Sequence, residues 1–227
     1  MTGLDGGLTI AVPRGALFAD TVALLAGLGV DTAELSSNER KLLFEDIGVI
    51  TMRPSDVITY VEAGAADIGI AGKDNLLERA EQQLGEGGRR VYELADLGYG
   101  RCTMVLASQD LHPDPAQEAL RRLGLMRVAT KYPRIAARHL EETGRQAEIV
   151  EVKGSVELAP LTGIAEAIVD LTATGTTLRE NDLAIREEIA VCTARLIANP
   201  VAHKLKAAAI DDLLARVREL AAAGRTP

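Results

Sequence analysis

Tryptophan is absent from these 227 residues, and phenylalanine and tyrosine together make up only 3% of them. The core must therefore be built from Ala, Leu, Ile and Val, and there is little with which to stack unpaired bases. Cysteine is nearly as scarce. Cys102 and Cys192 form no CxxC pair, and His112, His139 and His203 are scattered, which argues against a structural zinc site and for two buried free thiols. Positive charge is short as well. A net charge of −8 excludes a general nucleic-acid binder, which needs clustered Lys and Arg, but leaves room for a small phosphorylated ligand held by a few converging cations. No stretch approaches the ~18 apolar residues of a membrane span. The opening MTGLDGGLTIAVPRG has no basic, then apolar, signal character, so a cytoplasmic location is expected.

What is present is alternation of strand and helix patterns. Strands are expected over residues 8–12, 47–52, 67–71, 91–97, 102–108, 126–130, 147–152, 167–171 and 188–198. Helices are expected over 17–28, 54–62, 73–83, 116–123, 133–143 and 156–161, from about Thr177, and over 200–223. Residues 85–90 (GEGGRR) read as a turn, and 108–115 (SQDLHPDP), with two prolines, as a connection between lobes. Continuous apolar strands between helices imply an α/β fold with covered sheets, and two such lobes would leave an active-site cleft between them.

The most informative stretch is 167–178, AIVDLTATGTTL. A strand ends near Asp170 and a turn of small hydroxylated residues follows: Thr172, Ala173, Thr174, Gly175, Thr176, Thr177. A helix then starts, with Thr177 as its N-cap and Glu180 as capping-box partner. Free amides at a helix start, a glycine that allows close approach and several hydroxyls make an anion site. Asp170 could accept hydrogen bonds from sugar hydroxyls, so a ribose 5-phosphate suits the whole. An ordinary capped strand–turn–helix fits the same residues.

The longer segment ELAPLTGIAEAIVDLTATGTTL resembles the signature of the ATP phosphoribosyltransferases, through Glu157, Gly163, Ala165, Asp170, Thr174, Gly175, Thr177 and Leu178. RPSDV, YVEAGAADIGIAGKD, LADLGYGRC, RVATKYP and GSVELAP are similar to other motifs of that family, so the resemblance runs from about residue 8 to 199. It implies two lobes of type II periplasmic-binding-protein character. One is discontinuous (1–107 and 185–227); the other (108–184) carries the phosphoribosyl pyrophosphate loop. It implies transfer of a phosphoribosyl group to N1 of ATP with release of pyrophosphate, the first step of histidine biosynthesis, with Mg2+ on the substrate phosphates and no dedicated metal site. Arg40, Asp170 and Arg14 are the expected catalytic residues. Glu157, Asp170, Ala173, Thr174, Gly175, Thr176 and Thr177 are expected to hold phosphoribosyl pyrophosphate. Lys41, Arg53, Lys73, Asp74, Cys102 and Lys131 are expected at the nucleotide or pyrophosphate.

One departure concerns Pro13–Arg14–Gly15–Ala16: relatives commonly have Lys for Arg14 and often Arg for Ala16, and Arg14 is expected to compensate in part. Lys73 in GIAGKD is not a P-loop lysine, because Asp67 stands at the first-glycine position and Asp74 follows it. The final 28 residues leave no room for the extra histidine-binding domain of long-form members. The expectation is therefore the short form, a homodimer within a hetero-oligomer whose regulatory subunit is similar to histidyl-tRNA synthetase. The alternative is a non-catalytic solute- or nucleotide-binding protein of the same fold, since fold does not decide chemistry.

Overall fold

The computed structural model describes residues 3–83 and 91–222; the turn expected at 85–90 lies outside them. The chain forms two compact units: Met1–Leu76, Gly87–Gly100 and Thr193–Pro227 make the first, Leu77–Glu86 and Arg101–Cys192 the second.

The first unit begins with β1 (Ile10–Pro13), α1 (Phe18–Gly27), the short α2 (Ala33–Ser37), β2 (Leu43–Phe44), β3 (Val49–Met52), α3 (Val57–Glu62), β4 (Ile68–Gly72), α4 (Lys73–Gln83) and β5 (Tyr92–Asp96). Residues of α4 from Leu77 onward belong to the second unit. That unit continues with β6 (Cys102–Gln109), α5 (Pro115–Leu123), β7 (Met126–Thr130), α6 (Pro133–Glu142), β8 (Ala147–Glu151), α7 (Leu158–Leu161), β9 (Ala167–Thr172), α8 (Thr176–Glu180) and β10 (Leu183–Cys192). The chain then returns to the first unit with β11 (Ala194–Ala198), α9 (Pro200–Leu205) and α10 (Ala207–Ala222).

The first sheet has the order β2-β3-β1-β4-β11-β5 and the second β10-β6-β9-β7-β8. The inner strands of each sheet, such as β1, β4 and β9, are buried on both faces, which is why they read as unbroken apolar runs, whereas the outer strands β5, β8 and β10 are only partly buried. In β1, Ile10 and Val12 join a cluster with Leu24, Leu25, Leu213 and Leu214, while Ala11 faces Val57, Ile58 and Val61 of α3 on the other side. Gly69 permits that helix to lie close: a Cβ there would stand 2.7 Å from Val61 Cγ2 and 2.9 Å from Val57 Cγ1.

Three expected segments need correction. Residues 188–198 are not one strand: β10 pairs with β6 in the second sheet, whereas β11 pairs with β4 and β5 in the first. Thr193 lies between them, its side chain donating to Asp96 at 2.7 Å, and apolar pattern alone does not register a change of sheet. The helix expected at 200–223 is broken at Lys206, where the backbone leaves helical geometry (φ −117°, ψ 31°) and the ammonium is drawn to Asp67 at 2.8 Å. Residues 108–115 connect β6 to α5 inside the second unit, where Asp114 caps α5 by accepting from the Ala116 amide at 3.1 Å. The second unit takes in both β6 and β10, so it reaches residues 101 and 192, further out than 108 and 184.

Candidate active site

In the second unit β7 and β9 are parallel neighbours, with Thr130 opposite Val169. The chain leaves β7 through α6, whose Ile135, Ala136 and Leu140 pack with Val128 and Val169 on one face. It leaves β9 through α8, whose Leu178 packs with Ala129 and Ile168 on the opposite face. The carboxyl ends of β7 and β9 therefore flank a point where the winding reverses, the usual ligand crevice of such sheets. Thr130 ties the two ends together: its hydroxyl donates to the Val169 carbonyl at 2.7 Å and accepts from the Tyr132 amide at 2.9 Å.

Two helices start at this crevice, and one is already filled. The Glu78 carboxylate accepts from the Arg134 and Ile135 amides at the start of α6, each at 3.0 Å. Nothing in the sequence pattern flagged Glu78, because it reaches α6 from 56 positions away.

The turn after β9 remains for an anion. Gly175 has φ +72° and is itself the residue before α8, so Thr177 is not the N-cap and no capping box with Glu180 forms. The residue in the cap position is glycine, which has no side chain to cap with. The Gly175 amide is not free either: it donates to Thr172 Oγ1 at 2.8 Å. The Thr176 amide makes a long 3.4 Å bond to Thr174 Oγ1, and the two hydroxyls of Thr174 and Thr176 are 2.9 Å apart. The amides of Ala173, Thr174 and Thr177 make no hydrogen bond to the described residues, and all three residues are exposed. With only five residues, α8 adds little dipole, so amides and hydroxyls supply the attraction. Arg179 was not anticipated. Its guanidinium folds back over the turn, Nη1 donating to the Thr174 carbonyl and Nη2 to Thr176 Oγ1, each at 3.0 Å.

Asp170 is 8% exposed on β9, and its Oδ1 lies 3.2 Å from Lys131 Nζ and accepts from the Leu171 amide at 2.8 Å. Burial pushes its carboxyl above the usual range. Lys131 and the Leu171 amide pull it back, and the negative charge of Glu157 adds to the upward push. Lys131 follows β7 and also lies over the Tyr132 ring. Glu157 is partly buried immediately before α7. The structure thus brings Lys131, Glu157, Asp170 and residues 173–177 to one end of one sheet.

The candidate residues of the first unit are arranged differently. Arg14 follows β1, and its Nη2 donates to the Lys41 carbonyl at 2.9 Å while its guanidinium lies over the Phe18 ring. Its Nε is buried without a partner among the described residues. Lys41 pairs with Glu34 and Lys73 with Glu93, both at 2.7 Å. Arg40 and Arg53 are exposed and enter no ion pair among the described residues. Asp74 is 7% exposed and accepts from Asn75 Nδ2 at 2.9 Å. Cys102 and Cys192 form no disulfide and are register partners across the β6–β10 ladder. Of the two, Cys192 is buried and Cys102 only partly so, against the expectation that both are buried.

A family model described as "HisG: ATP phosphoribosyltransferase" matches residues 53–219. The chain belongs to the ATP phosphoribosyltransferase family. It is 52% identical over 213 residues to the ATP phosphoribosyltransferase of Rubrobacter xylanophilus, covering 93% of this chain and 95% of that one. To the same enzyme of Chromobacterium violaceum it is 44% identical, covering 91% and 95%. Among solved structures, the "ATP phosphoribosyl transferase (HisG:HisZ) complex from Thermotoga maritima" superposes with a TM-score of 0.76 at 34% identity, over 94% of this chain and 98% of that one. The substrate-binding protein of an amino acid ABC transporter superposes at 0.59 and 14% identity, covering 96% and 95%, and shares the fold alone. Family membership makes the chain an enzyme, a pentosyltransferase acting at the first step of histidine biosynthesis. Its two-sheet α/β architecture is of periplasmic-binding-protein type.

Proposed function

We propose that the turn at 172–177 holds the 5-phosphate of phosphoribosyl pyrophosphate while Asp170 accepts hydrogen bonds from the ribose hydroxyls. The observation that carries this reading is the exposed, unengaged amides of Ala173, Thr174 and Thr177 beside a buried carboxylate at the sheet's reversal point. Adenine N1 of ATP then attacks ribose C1. The N1–C1 bond forms, and the bond from C1 to pyrophosphate breaks with its electron pair leaving on the pyrophosphate oxygen. N1 carries a lone pair and no proton, so no general base is required. Alignment and stabilisation of charge do the work.

As C1 becomes electron-poor, the carboxylates of Asp170 and Glu157 favour it through the sugar. Arg14, Arg40, Lys41, Arg53, Lys73 and Lys131 are the cations proposed for the pyrophosphate and triphosphate groups, and Asp74 and Cys102 are proposed beside the nucleotide. For Lys41 and Lys73 this means leaving Glu34 and Glu93, exchanges between partly exposed ion pairs that cost little.

Magnesium belongs with the substrates in this reading. Phosphate oxygens are the hard ligands it prefers, and among the described residues no group of three or more His, Cys, Asp or Glu is placed to hold a metal. The T. maritima complex pairs HisG with HisZ. By that precedent we propose a separate regulatory subunit, of the histidyl-tRNA-synthetase-like kind, with this chain acting as a dimer within the assembly. No helix among the described residues is long and apolar enough to cross a membrane, and a cytoplasmic location is proposed.

The test is to mix the purified chain with ATP, magnesium and phosphoribosyl pyrophosphate, with and without the partner subunit. Pyrophosphate release together with a new ultraviolet-absorbing adduct is the expected result. Ligand binding with no pyrophosphate released under either condition would leave only a binding protein of this fold.

A further inference from the structure

We propose that Arg179 is a positioning residue for the phosphate turn, acting through a chain of hydroxyls that leaves the Thr174 O–H aimed outward as a donor. The inference rests on the reading of residues 172–177 as the phosphate site.

A threonine hydroxyl has one proton to give and two lone pairs. In this turn Thr176 Oγ1 accepts from Arg179 Nη2 at 3.0 Å, and Thr174 Oγ1 lies 2.9 Å from Thr176 Oγ1. Either hydroxyl could donate across that 2.9 Å contact. Arg179 decides the direction. A cationic donor on Thr176 Oγ1 makes its own proton a better donor, because hydrogen bonds in series polarise one another. Thr176 therefore donates to Thr174. Thr174 Oγ1 already receives the long bond from the Thr176 amide, so both its lone pairs are used and its proton is left over. Thr174 is exposed, so that proton points to whatever occupies the turn, where a phosphate oxygen accepts it.

The second bond of Arg179, from Nη1 to the Thr174 carbonyl at 3.0 Å, holds the peptide that precedes Gly175. The same nitrogen lies 3.0 Å from where a Cβ on Gly175 would stand, so the guanidinium is packed onto the turn itself. Without Arg179, Thr174 is as free to donate inward to Thr176 as outward, and the turn offers the phosphate one fewer fixed donor. Arg179 need not touch substrate for this.

The test is a double-mutant cycle on the phosphoribosyl pyrophosphate KM with kcat followed in parallel. Arg179→Ala and Thr176→Val should each raise KM by about tenfold with kcat within about twofold, and the double variant should be no worse than either single, because both break one relay. Arg179→Lys keeps the charge but cannot make both bonds, and it should recover only part of the loss. The proposal fails if Arg179→Ala leaves KM unchanged, if the two effects multiply, or if Arg179→Lys is indistinguishable from the original, which would make Arg179 a charge only. Thr174→Val separates this from the underlying reading. A raised KM there with Arg179→Ala silent overturns only the relay, and an unchanged KM in Thr174→Val overturns it too, since the hydroxyl then gives the phosphate nothing. The turn itself leaves the phosphate site only if Gly175→Ala, which reshapes the backbone carrying the amides, also leaves KM unchanged.

Discussion

The two units end their central strands in opposite ways. At the carboxyl end of β9 the chain presents small hydroxylated residues with spare amides, and the nearby cation, Lys131, is turned onto Asp170. At the carboxyl end of β1 it presents a guanidinium, and Arg14 is already engaged by the carbonyl of Lys41 while Lys41 and Lys73 are held by glutamates. The first arrangement is fixed before any ligand arrives. The second must exchange partners to receive one. A preorganised donor set costs no reorganisation on binding. Side-chain truncations at the second unit's site should therefore act on activity sharply and on stability little, and those among the first unit's paired cations more gently.

The largest effect is expected at Asp170. Asp170→Ala should lower kcat/KM for phosphoribosyl pyrophosphate by about 100-fold or more, near the ~1.36 kcal/mol per decade scale twice over. Stability should hold or rise, because the native carboxyl has its affinity for protons raised by burial. The folded state then binds the proton more tightly than the unfolded one. Stability relative to Asp170→Asn is greatest below the ordinary carboxyl value of 3.8 and declines as pH rises from there through the raised native value. Thermal melts of the two proteins from acid to neutral pH measure that divergence. An Asp170→Ala enzyme with full activity would end the assignment.

Lys131 sharpens the same contrast. It is the foremost opponent of the burial that raises Asp170. Lys131→Met should move the acid limb of the kcat/KM profile to higher pH, since Asp170 must be ionised to accept from the ribose hydroxyls. A limb that stays in place would show that the 3.2 Å contact does not govern the group.

Next comes Gly175→Ala. Left-handed geometry costs a residue with a Cβ roughly 1–2 kcal/mol, and here the added carbon also meets Arg179 Nη1. A drop of several degrees in Tm with a raised phosphoribosyl pyrophosphate KM is expected. An unaltered KM would mean the turn tolerates reshaping and is no preorganised site. In the first unit, Arg14→Ala should cost activity about tenfold, roughly one decade of transition-state binding, in steady-state assays. Unchanged affinity and turnover would mean that Arg14 does not stand in for the lysine common among relatives.

Much of the fold was readable because its inner strands are covered on both faces and helices such as α5 and α6 are bounded by proline and glycine. The ranges 73–83 and 126–130 coincide with α4 and β7 to the residue. What escaped was non-local. Thr193 hands the chain from one sheet to the other within a single apolar run, and the helix breaks at Lys206, whose ammonium pairs with Asp67, far back in sequence. The site divides along the same line. The threonine turn and Asp170 are contiguous and stood out. The filling of the α6 start by Glu78 spans 56 positions, and the cover supplied by Arg179 depends on a guanidinium folding back rather than outward. A signal for the latter existed, since residues three apart on a helix share a face, and Thr176 and Arg179 are such a pair.

The smallest effect tests the gentler side of the comparison. Lys41 and Glu34 are both well exposed at 37% and 54%, so their ion pair should be worth ~0.2–1 kcal/mol at most. Glu34→Gln should barely move Tm. It does, however, release Lys41 from the partner it must leave in order to reach a phosphate. If Lys41 serves the pyrophosphate or nucleotide, Glu34→Gln should slightly lower the KM for one substrate, and the gain should fade at high salt, where the competing pair is already screened. If Lys41 serves neither, Glu34→Gln and the unchanged enzyme will show the same KM at every ionic strength, and Lys41 reduces to a solvated side chain beside Phe44.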